Sequence, residues 1–484
     1  MRRANLATIA LLGLACALSG CMVGPNYKRP PVVAPARFKS QATSQPSSQP
    51  TTSPAAGIPN QWWKLYGDAE LERLVDAANV ANQDLRQAVA RVDQARALAR
   101  VAGSFLAPTI DANPGYTRTR TSGTRDNPIT GLPTPSAKIN DWIIPFDLTY
   151  EVDVWGRIRR SLESARAQAT ATVYDEAVIR LTVQTNVAQF YYALRSLDAQ
   201  EQILNRTVGA FDEQVRVVNA QLKNGLVGPI DLYQAQALLA STKAQARDVQ
   251  RARADQEHAL AILCGEPAAL FNVAPNPLTK ASAPAVPAGL PAELLTRRPD
   301  VAEAEQNLVA LNAQVGVATA MLYPTFSLTG AAGFESASAQ HLLDWKSRIA
   351  SIGPSISIPI FNAGRLKANL EATRAQYRQL VAAYVGQVLI AYGDVEDALT
   401  DLHALTDEAA SLQQAVNASQ DYVRVANVQY KRGLVNYLIV VDAERTLLSN
   451  QLTLAQTINL QTAASVHLIK ALGGGWEDHR APKP

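Results

Sequence analysis

Cysteine, methionine and histidine are scarce in this chain, with three, three and five copies among 484 residues. The cysteines, Cys16, Cys21 and Cys264, are too few and too scattered to form a disulfide framework. His258, His341, His403, His467 and His479 lie far apart, so the sequence holds no ligand cluster at metal spacing. One methionine is the initiator and another is Met22, which leaves a methionine-lined copper or silver path without support. A phosphate-cradling glycine loop and a nucleophile elbow are both missing. No basic stripe interleaved with aromatics accompanies the net charge of +3. These absences argue against catalysis, a bound cofactor, a metal site and a nucleic-acid partner.

What is present starts with a leader. Arg2 and Arg3 precede an apolar run from Leu6 to Leu18, the order of a secretory signal, and the run is too short to span a bilayer. It ends Leu18-Ser19-Gly20-Cys21, which resembles the bacterial lipobox, so Cys21 is the expected lipidation site and the mature N-terminus. Two or three acyl chains, at about 0.8 kcal/mol per buried CH₂, give durable anchoring. Met22 stands where an aspartate commonly retains lipoproteins at the inner membrane, so the expected destination is the outer membrane. Residues 1–20 read as signal and 21–61 as an acylated tether, because the Pro/Ser/Thr/Gln-rich stretch from Pro30 to Pro59 offers little apolar surface to bury.

The folded part, starting near Trp62, repeats itself. Val215-Arg216-Val217-Val218-Asn219-Ala220-Gln221-Leu222-Lys223-Asn224-Gly225-Leu226-Val227 matches the segment from Val423 to Val435 at nine of thirteen positions, at an offset of 208. Gly156-Arg157 pairs with Gly364-Arg365 in the same register, while Leu106-Ala107-Pro108-Thr109 matches Leu322-Tyr323-Pro324-Thr325 at a slightly different offset. The chain is an internal duplication, with repeats over 62–264 and 297–472, a Pro/Ala-rich connector over 265–296 and a tail over 473–484.

Each repeat reads as helix, strand, loop, strand and two helices. From Trp142 to Val154 the even positions are apolar, while Asp141, Asp147, Thr149, Glu151 and Asp153 take the other side. Phe326 to Phe334 and Ile352 to Ile360 alternate in the same way, and Ile110 to Arg120 is the weakest of the four strands. One such strand would suit a half-exposed sheet of a soluble protein. Four of about ten residues in an exported, lipidated chain suit an outer-membrane barrel, apolar outside and polar inside. Four strands cannot close around a lumen, and an open edge in lipid leaves backbone groups unpaired. Three copies would supply twelve strands, an even number within the range of such barrels. The loops from Thr121 to Lys138 and Ser336 to Arg348 then face outside.

Arg157 to Leu222 contains no proline and as one helix would run about 100 Å. Within it Val183, Val187, Phe190, Leu194, Leu197, Leu204, Val208, Phe211, Val215, Val218 and Leu222 keep steps of four and three, with Glu201 in the one polar slot. A sustained repeat of 3.5 means coiled-coil packing. The second repeat places Ala391, Ala398 and Ala426 at equivalent slots, which permits close helix approach. The fold class is therefore mainly α, a long coiled-coil helical barrel, with membrane β-strands at one end.

At this point the sequence resembles the TolC-like outer-membrane factor family, specifically the NodT-type lipoproteins that serve resistance-nodulation-division (RND) pumps. The resemblance rests on Cys21-Met22-Val23-Gly24-Pro25-Asn26-Tyr27, Tyr150-Glu151-Val152-Asp153-Val154-Trp155-Gly156-Arg157 and Leu294-Leu295-Thr296-Arg297-Arg298-Pro299-Asp300-Val301. It implies a homotrimer in the outer membrane that serves as exit duct of a tripartite efflux pump, with a periplasmic adaptor and an inner-membrane RND pump as partners. Local reasons for the motifs are a helix start at Asp300 and Glu303 after Pro299, and a strand-to-helix turn at Gly156.

Gly225-Leu226-Val227 and Gly433-Leu434-Val435 interrupt the long helices and are expected to turn helical hairpins at periplasmic tips, where adaptor and pump dock. Leu438, Asp442 and Arg445 fall at i, i+4 and i+7 on one helical face. The resemblance implies an aperture there: Leu438 as apolar constriction, Asp442 as lumenal acid, Arg445 as its pairing partner, and Asp231 as an acid near the opening. Val435 stands where some relatives carry an arginine, so no latch through that arginine is expected. Two alternatives use the same features: a duct for an ABC-type protein exporter, and a periplasm-spanning structural lipoprotein with no pore.

Overall fold

The computed structural model describes residues 22–39, 58–124, 136–281, 284 and 294–476. Cys21, the signal over 1–20 and the end of the tail lie outside the described residues. In chain order the elements are α1 (Ala69–Ala81), α2 (Gln83–Ser104), β1 (Thr109–Ala112), β2 (Gly115–Arg120), β3 (Lys138–Val152), α3 (Arg157–Lys223), α4 (Pro229–Leu263), the single turn α5 (Leu294–Arg297), α6 (Pro299–Ala320), β4 (Thr325–Ser336), β5 (Arg348–Ser357), α7 (Arg365–Lys431) and α8 (Tyr437–Ala471).

The duplication is visible in the element ends. α3 and α7 have 67 residues each and α4 and α8 have 35 each, all displaced by 208 positions. Before the strands the displacement is larger: α2 to α6 and the start of β1 to the start of β4 differ by 216. The difference, 216 − 208 = 8, means that the second strand–loop–strand segment is eight residues shorter.

The chain divides into two compact units, one of Met1–Pro30, Val92–Ala171 and Ala304–Tyr384, the other of Pro31–Arg91, Thr172–Glu303 and Val385–Pro484. The first unit holds an antiparallel sheet in the order β1-β3-β4-β5, with β2 also on β3. β1 and β2 share one register: Ala112 faces Phe146 and Gly115 faces Ile143, so each pair of numbers sums to 258. They are one geometric strand broken at Asn113-Pro114. Pro114 and Pro145, which faces Asn113, have no N–H to give the ladder, and the Asn113 N–H reaches the Pro145 carbonyl at 3.4 Å. The strand expected over Ile110–Arg120 thus occupies one place in the sheet as two pieces. β5 stops at Ser357, short of the alternation that runs on to Ile360, because Pro359 follows.

All four helix connections to the sheet, from α2, to α3, from α6 and to α7, leave its same end, and the two hairpin loops occupy the opposite end. At the β3–α3 junction Asp153 accepts from the Ile158 and Arg159 N–H groups at 3.0 and 2.9 Å, capping α3. Glu151 takes Arg157 bidentately at 2.8 and 2.6 Å.

The second unit is a helical core. Trp62, Leu71, Leu74, Val187, Tyr191, Leu194, Leu260 and Ile469 are buried together, and the Tyr66 hydroxyl meets Ser465 Oγ at 2.7 Å. Along α3 the heptad positions Val183, Leu204, Phe211 and Val218 are buried, as are Ala391, Ala398 and Ala426 of α7. Glu201, the polar slot in the stripe, accepts from the Gln250 side chain of α4 at 2.7 Å.

Two expectations need amendment, on Asp300 and on the tether. Asp300 does not cap α6: Pro299 is the first helical residue and Asp300 lies inside the first turn. Its carboxylate instead receives the buried Arg298 guanidinium at 3.0 and 2.6 Å and the Gln387 amide at 2.7 Å. Tertiary partners have outcompeted the local cap. The connector is packed where it is described: Phe271, Val273 and Leu278 join the core. Its backbone is pinned by Glu257 to Val273 N and Asp198 to Asn276 N, at 2.7 and 2.8 Å. The tether, too, is held over its first part, with Phe38 buried and the Lys39 N–H on Glu396 at 2.5 Å.

Candidate functional site

The hairpin tips close with helix-stop geometry. Gly225 and Gly433 have φ of 70° and 72°, a left-handed conformation that glycine adopts without steric penalty. The Gly225 N–H bonds Leu222 O and Leu226 N–H bonds Gln221 O, both at 2.9 Å. Gly433 and Leu434 repeat the pair on Tyr430 and Gln429 at 2.9 and 3.0 Å. These are Schellman closures, and they leave Leu226 and Leu434 outside, 74% and 68% exposed. Val227 packs inward on a tip core of Val218, Ala235, Ala426, Tyr437 and Val440, and Val435 is half-buried. Tyr430 ties the two hairpins of one chain together, donating to Gln221 Oε1 at 3.1 Å and lying 5.4 Å from the Tyr437 ring.

α8 starts at Tyr437 behind an Asn436 cap and splits into two faces. Tyr437, Val440, Val441 and Ala443 are buried, while Leu438, Asp442 and Arg445 share the exposed face. Within the chain Asp442 is not ion-paired with Arg445. Its carboxylate accepts the Tyr422 hydroxyl of α7 at 3.2 Å, and desolvation, then this bond, raise that hydroxyl above its ordinary range. Asp231 lies in the first turn of α4, and its charge adds to burial in raising Tyr430 and Tyr437, the latter to about 12. Sequence reasoning missed Tyr422, because a hairpin-closing contact between residues twenty apart has no periodic signature.

At the sheet, register sorts every strand residue onto one of two faces. One carries Ile110, Trp142, Ile144, Phe146, Leu148, Leu328, Phe334 and Ile352 with their even-numbered neighbours. The other carries Asp111, Asp141, Asp147, Glu151, Glu335 and a run of Ser and Thr. The acidic face has no Lys or Arg, and the apolar face has no Asp or Glu. Aromatic pairs mark both ends of the apolar band: Tyr116 on Trp142 at 4.3 Å, and Trp155 on Tyr323 at 4.7 Å. From Trp142 to Val152 is about 34 Å of strand, or roughly 24 Å of height at a 45° tilt, the thickness an outer-membrane barrel presents to lipid. No described helix is long and apolar enough to cross a membrane.

The N-terminal motif is explained by contacts. Met22 lies against Gly156, whose φ is 79° and where any Cβ would come within 2.8 Å of the Met22 side chain. Gly24 fits against Gly316, where a Cβ would stand 2.5 Å from the facing Cα. Val23 N–H bonds Trp155 O at 3.1 Å, and Asn312 reaches Pro25 O at 2.9 Å. Asn26 takes the buried Arg160 at 2.8 Å, while Tyr27 and Arg29 both bond Glu305. At Gly24 the close approach leaves no room for a side chain.

The outer membrane efflux protein family matches residues 74–266 and 290–474, one match over each repeat. The chain is 32% identical over 480 residues to the pyoverdine export outer membrane protein OpmQ of Pseudomonas aeruginosa, covering 98% of both chains. It is 30% identical over 463 residues to the cation efflux system protein CusC of Escherichia coli K12, covering 96% of this chain and 98% of that one. The solved outer-membrane channel OprN superposes with a TM-score of 0.85 at 30% identity, over 94% of this chain and all of OprN. Duplicated helices, a two-faced sheet and these likenesses agree: the chain belongs to the outer membrane efflux protein family and is an outer-membrane efflux channel.

Proposed function

We propose that three copies close their sheets into one barrel and their helices into one tunnel, forming the exit duct of an RND-type pump joined through a periplasmic adaptor. The observation that carries this is the sheet: two faces of opposite character, with β1/β2 at one edge and β5 at the other. A lone four-strand sheet would expose both edges to lipid, which pairing with neighbouring copies removes. The acidic, hydroxyl-rich face then lines the lumen. Such a lining discriminates cargo weakly, so selection lies with the pump; relatives of similar identity are named for pyoverdine and for cations.

Cys21 is the proposed acylation site. Support comes from the next residue, Met22, which lies against Gly156 at the junction where β3 meets α3. The tips carry the proposed gate. Around a threefold axis, Leu438 would narrow the opening and three Asp442 carboxylates would repel unless neutralised. Tyr422 supplies a hydroxyl donor within the chain, and Arg445 of a neighbouring copy is the proposed cation. Leu226 and Leu434 with their glycine turns are the proposed docking points for adaptor and pump.

In-cell crosslinking, purification through a C-terminal tag and mass identification of partners test this. Recovery of an RND pump with its adaptor is expected. Recovery of an ABC exporter would replace the pump assignment, and trimers with neither partner would favour a structural role.

A further inference from the structure

The four cations of the sheet all stand on its lipid-facing side and all at its loop end. Arg118 and Arg120 follow Tyr116 on β2 in the even register, Lys138 pairs directly with Arg120, and Arg348 opens β5 opposite Phe334. They are exposed. No strand position on that face is acidic, and the nearest strand acids, Asp141 and Glu335, belong to the lumenal register. Near the bilayer midplane each Lys or Arg on such a face would cost about 2–4 kcal/mol, falling to roughly 0–1 at the interface. Lys138 lies four residues beyond Trp142, which is about 10 Å of height above the aromatic pair. Arg348 is directed the same way, its guanidinium 4.3 Å over the Trp345 ring in the outer loop. Arg118, Arg120 and Lys138 therefore lie beyond the last aromatic of the apolar band, while Arg348, level with Phe334, reaches toward the loop.

Surface lysines and arginines placed for solubility alone would be divided between the two faces and balanced by acids. Across the sheet as a whole, every charged residue on the opposite face is an acid, which excludes an even scatter. Arginine matches phosphate with paired, charge-assisted hydrogen bonds, and a lipid headgroup is the anion present at that depth around the whole circumference. We infer that Arg118, Arg120, Lys138 and Arg348 form a collar that binds the phosphate groups of phosphorylated glycolipid in the outer leaflet. The inference rests on the proposed barrel orientation, apolar face to lipid and loops outward. The collar would fix the depth of the barrel and hold a shell of lipid around it.

The test uses the full-length protein in uncharged detergent, stripped of lipid and offered bisphosphorylated lipid A or the same glycolipid without phosphates, with retention read by native mass spectrometry. Wild type should hold the phosphorylated form about tenfold more tightly, the scale of one or two charge-assisted bonds at a half-wet site. The variant Arg118→Gln/Arg120→Gln/Lys138→Gln/Arg348→Gln should lose that preference, and Thr117→Gln/Thr119→Gln on the lumenal register of the same strand should keep it. Equal retention of both glycolipids by wild type, a preference surviving the fourfold change, or one abolished equally by the threonine changes would each overturn the inference. Displacement by equimolar inorganic phosphate would also overturn it, by making the ligand a free anion. Flotation with phosphatidylcholine vesicles separates the underlying reading: wild type and the fourfold variant should both float. Wild type failing to float would overturn the barrel orientation and the collar together.

Discussion

Replacing Asp300 by Asn should loosen the anchor between the start of α6 and the end of α8. Arg298 is 7% exposed and is held by Asp300 bidentately at 3.0 and 2.6 Å, by Asp394 at 3.0 Å and by Ala471 O at 3.1 Å. Removing one partner of a buried pair typically costs about 3–5 kcal/mol; because Asp394 and Ala471 remain, about 2–3 kcal/mol is expected. With an unfolding entropy near 2.1 cal/mol/K per residue, a chain of 484 residues changes by about 1 kcal/mol per kelvin, so the apparent Tm should fall by roughly 2–3 °C. The assay is a thermal scan of both proteins in the same detergent at a fixed scan rate, repeated from pH 8 to pH 3. Burial alone would raise the Asp300 carboxyl, but the hydrogen bonds and charge of Arg298 outweigh it and leave the folded-state value below the ordinary range. A depressed carboxylate contributes stability that is fully present above its unfolded pKa, about 3.9, and is lost as pH falls through the lower folded value. The gap between the two proteins should therefore be flat from pH 8 to about 5 and close below about 4. A gap absent at pH 7, or unchanged down to pH 3, would refute the electrostatic account.

Other perturbations follow from the same contacts. Gly24→Val must drive a side chain into the Gly316 backbone, with about 1–3 kcal/mol of overpacking strain, and should open Lys28 and Arg29 to trypsin; an unchanged digestion pattern would count against the docked N-terminus. Gly225→Ala and Gly433→Ala impose a left-handed conformation on alanine at about 1–2 kcal/mol each, which hydrogen exchange should register as faster opening of the tips and nowhere else. Cys264 is buried, and burial lifts its thiol to about 11. At pH 8 its thiolate is roughly 100-fold scarcer than that of a free cysteine, so iodoacetamide should label it only after unfolding.

The large features were legible because they are periodic. Alternation from Trp142 to Val154 placed β3, which runs Lys138–Val152, and its two faces; heptad steps placed α3, and the match of Val215–Val227 to Val423–Val435 located both tips. What escaped was set by partners distant in sequence. Asp300 followed by Glu303 has the local form of a capping box, yet Arg298 and Gln387 decide its role. The segment after Pro30 has the composition of a tether, yet Phe38 finds a buried site. The motif from Met22 to Tyr27 became intelligible only when Gly316, Arg160, Asn312 and Glu305 were seen against it. The four cations of the outer collar were likewise hidden, since their shared side follows from pairing register and not from spacing along one strand.

If three copies enclose a water-filled path that their tips close, single-channel recording in planar bilayers will register it. Wild type should show small, infrequent conductance, while Asp442→Ala, alone or with Arg445→Ala, should open a large and sustained one, with cations favoured by the acidic lining of Asp111, Asp141, Asp147, Glu151 and Glu335. Absence of any conductance from correctly inserted trimers of every variant would contradict the account and leave a helical bundle without a lumen.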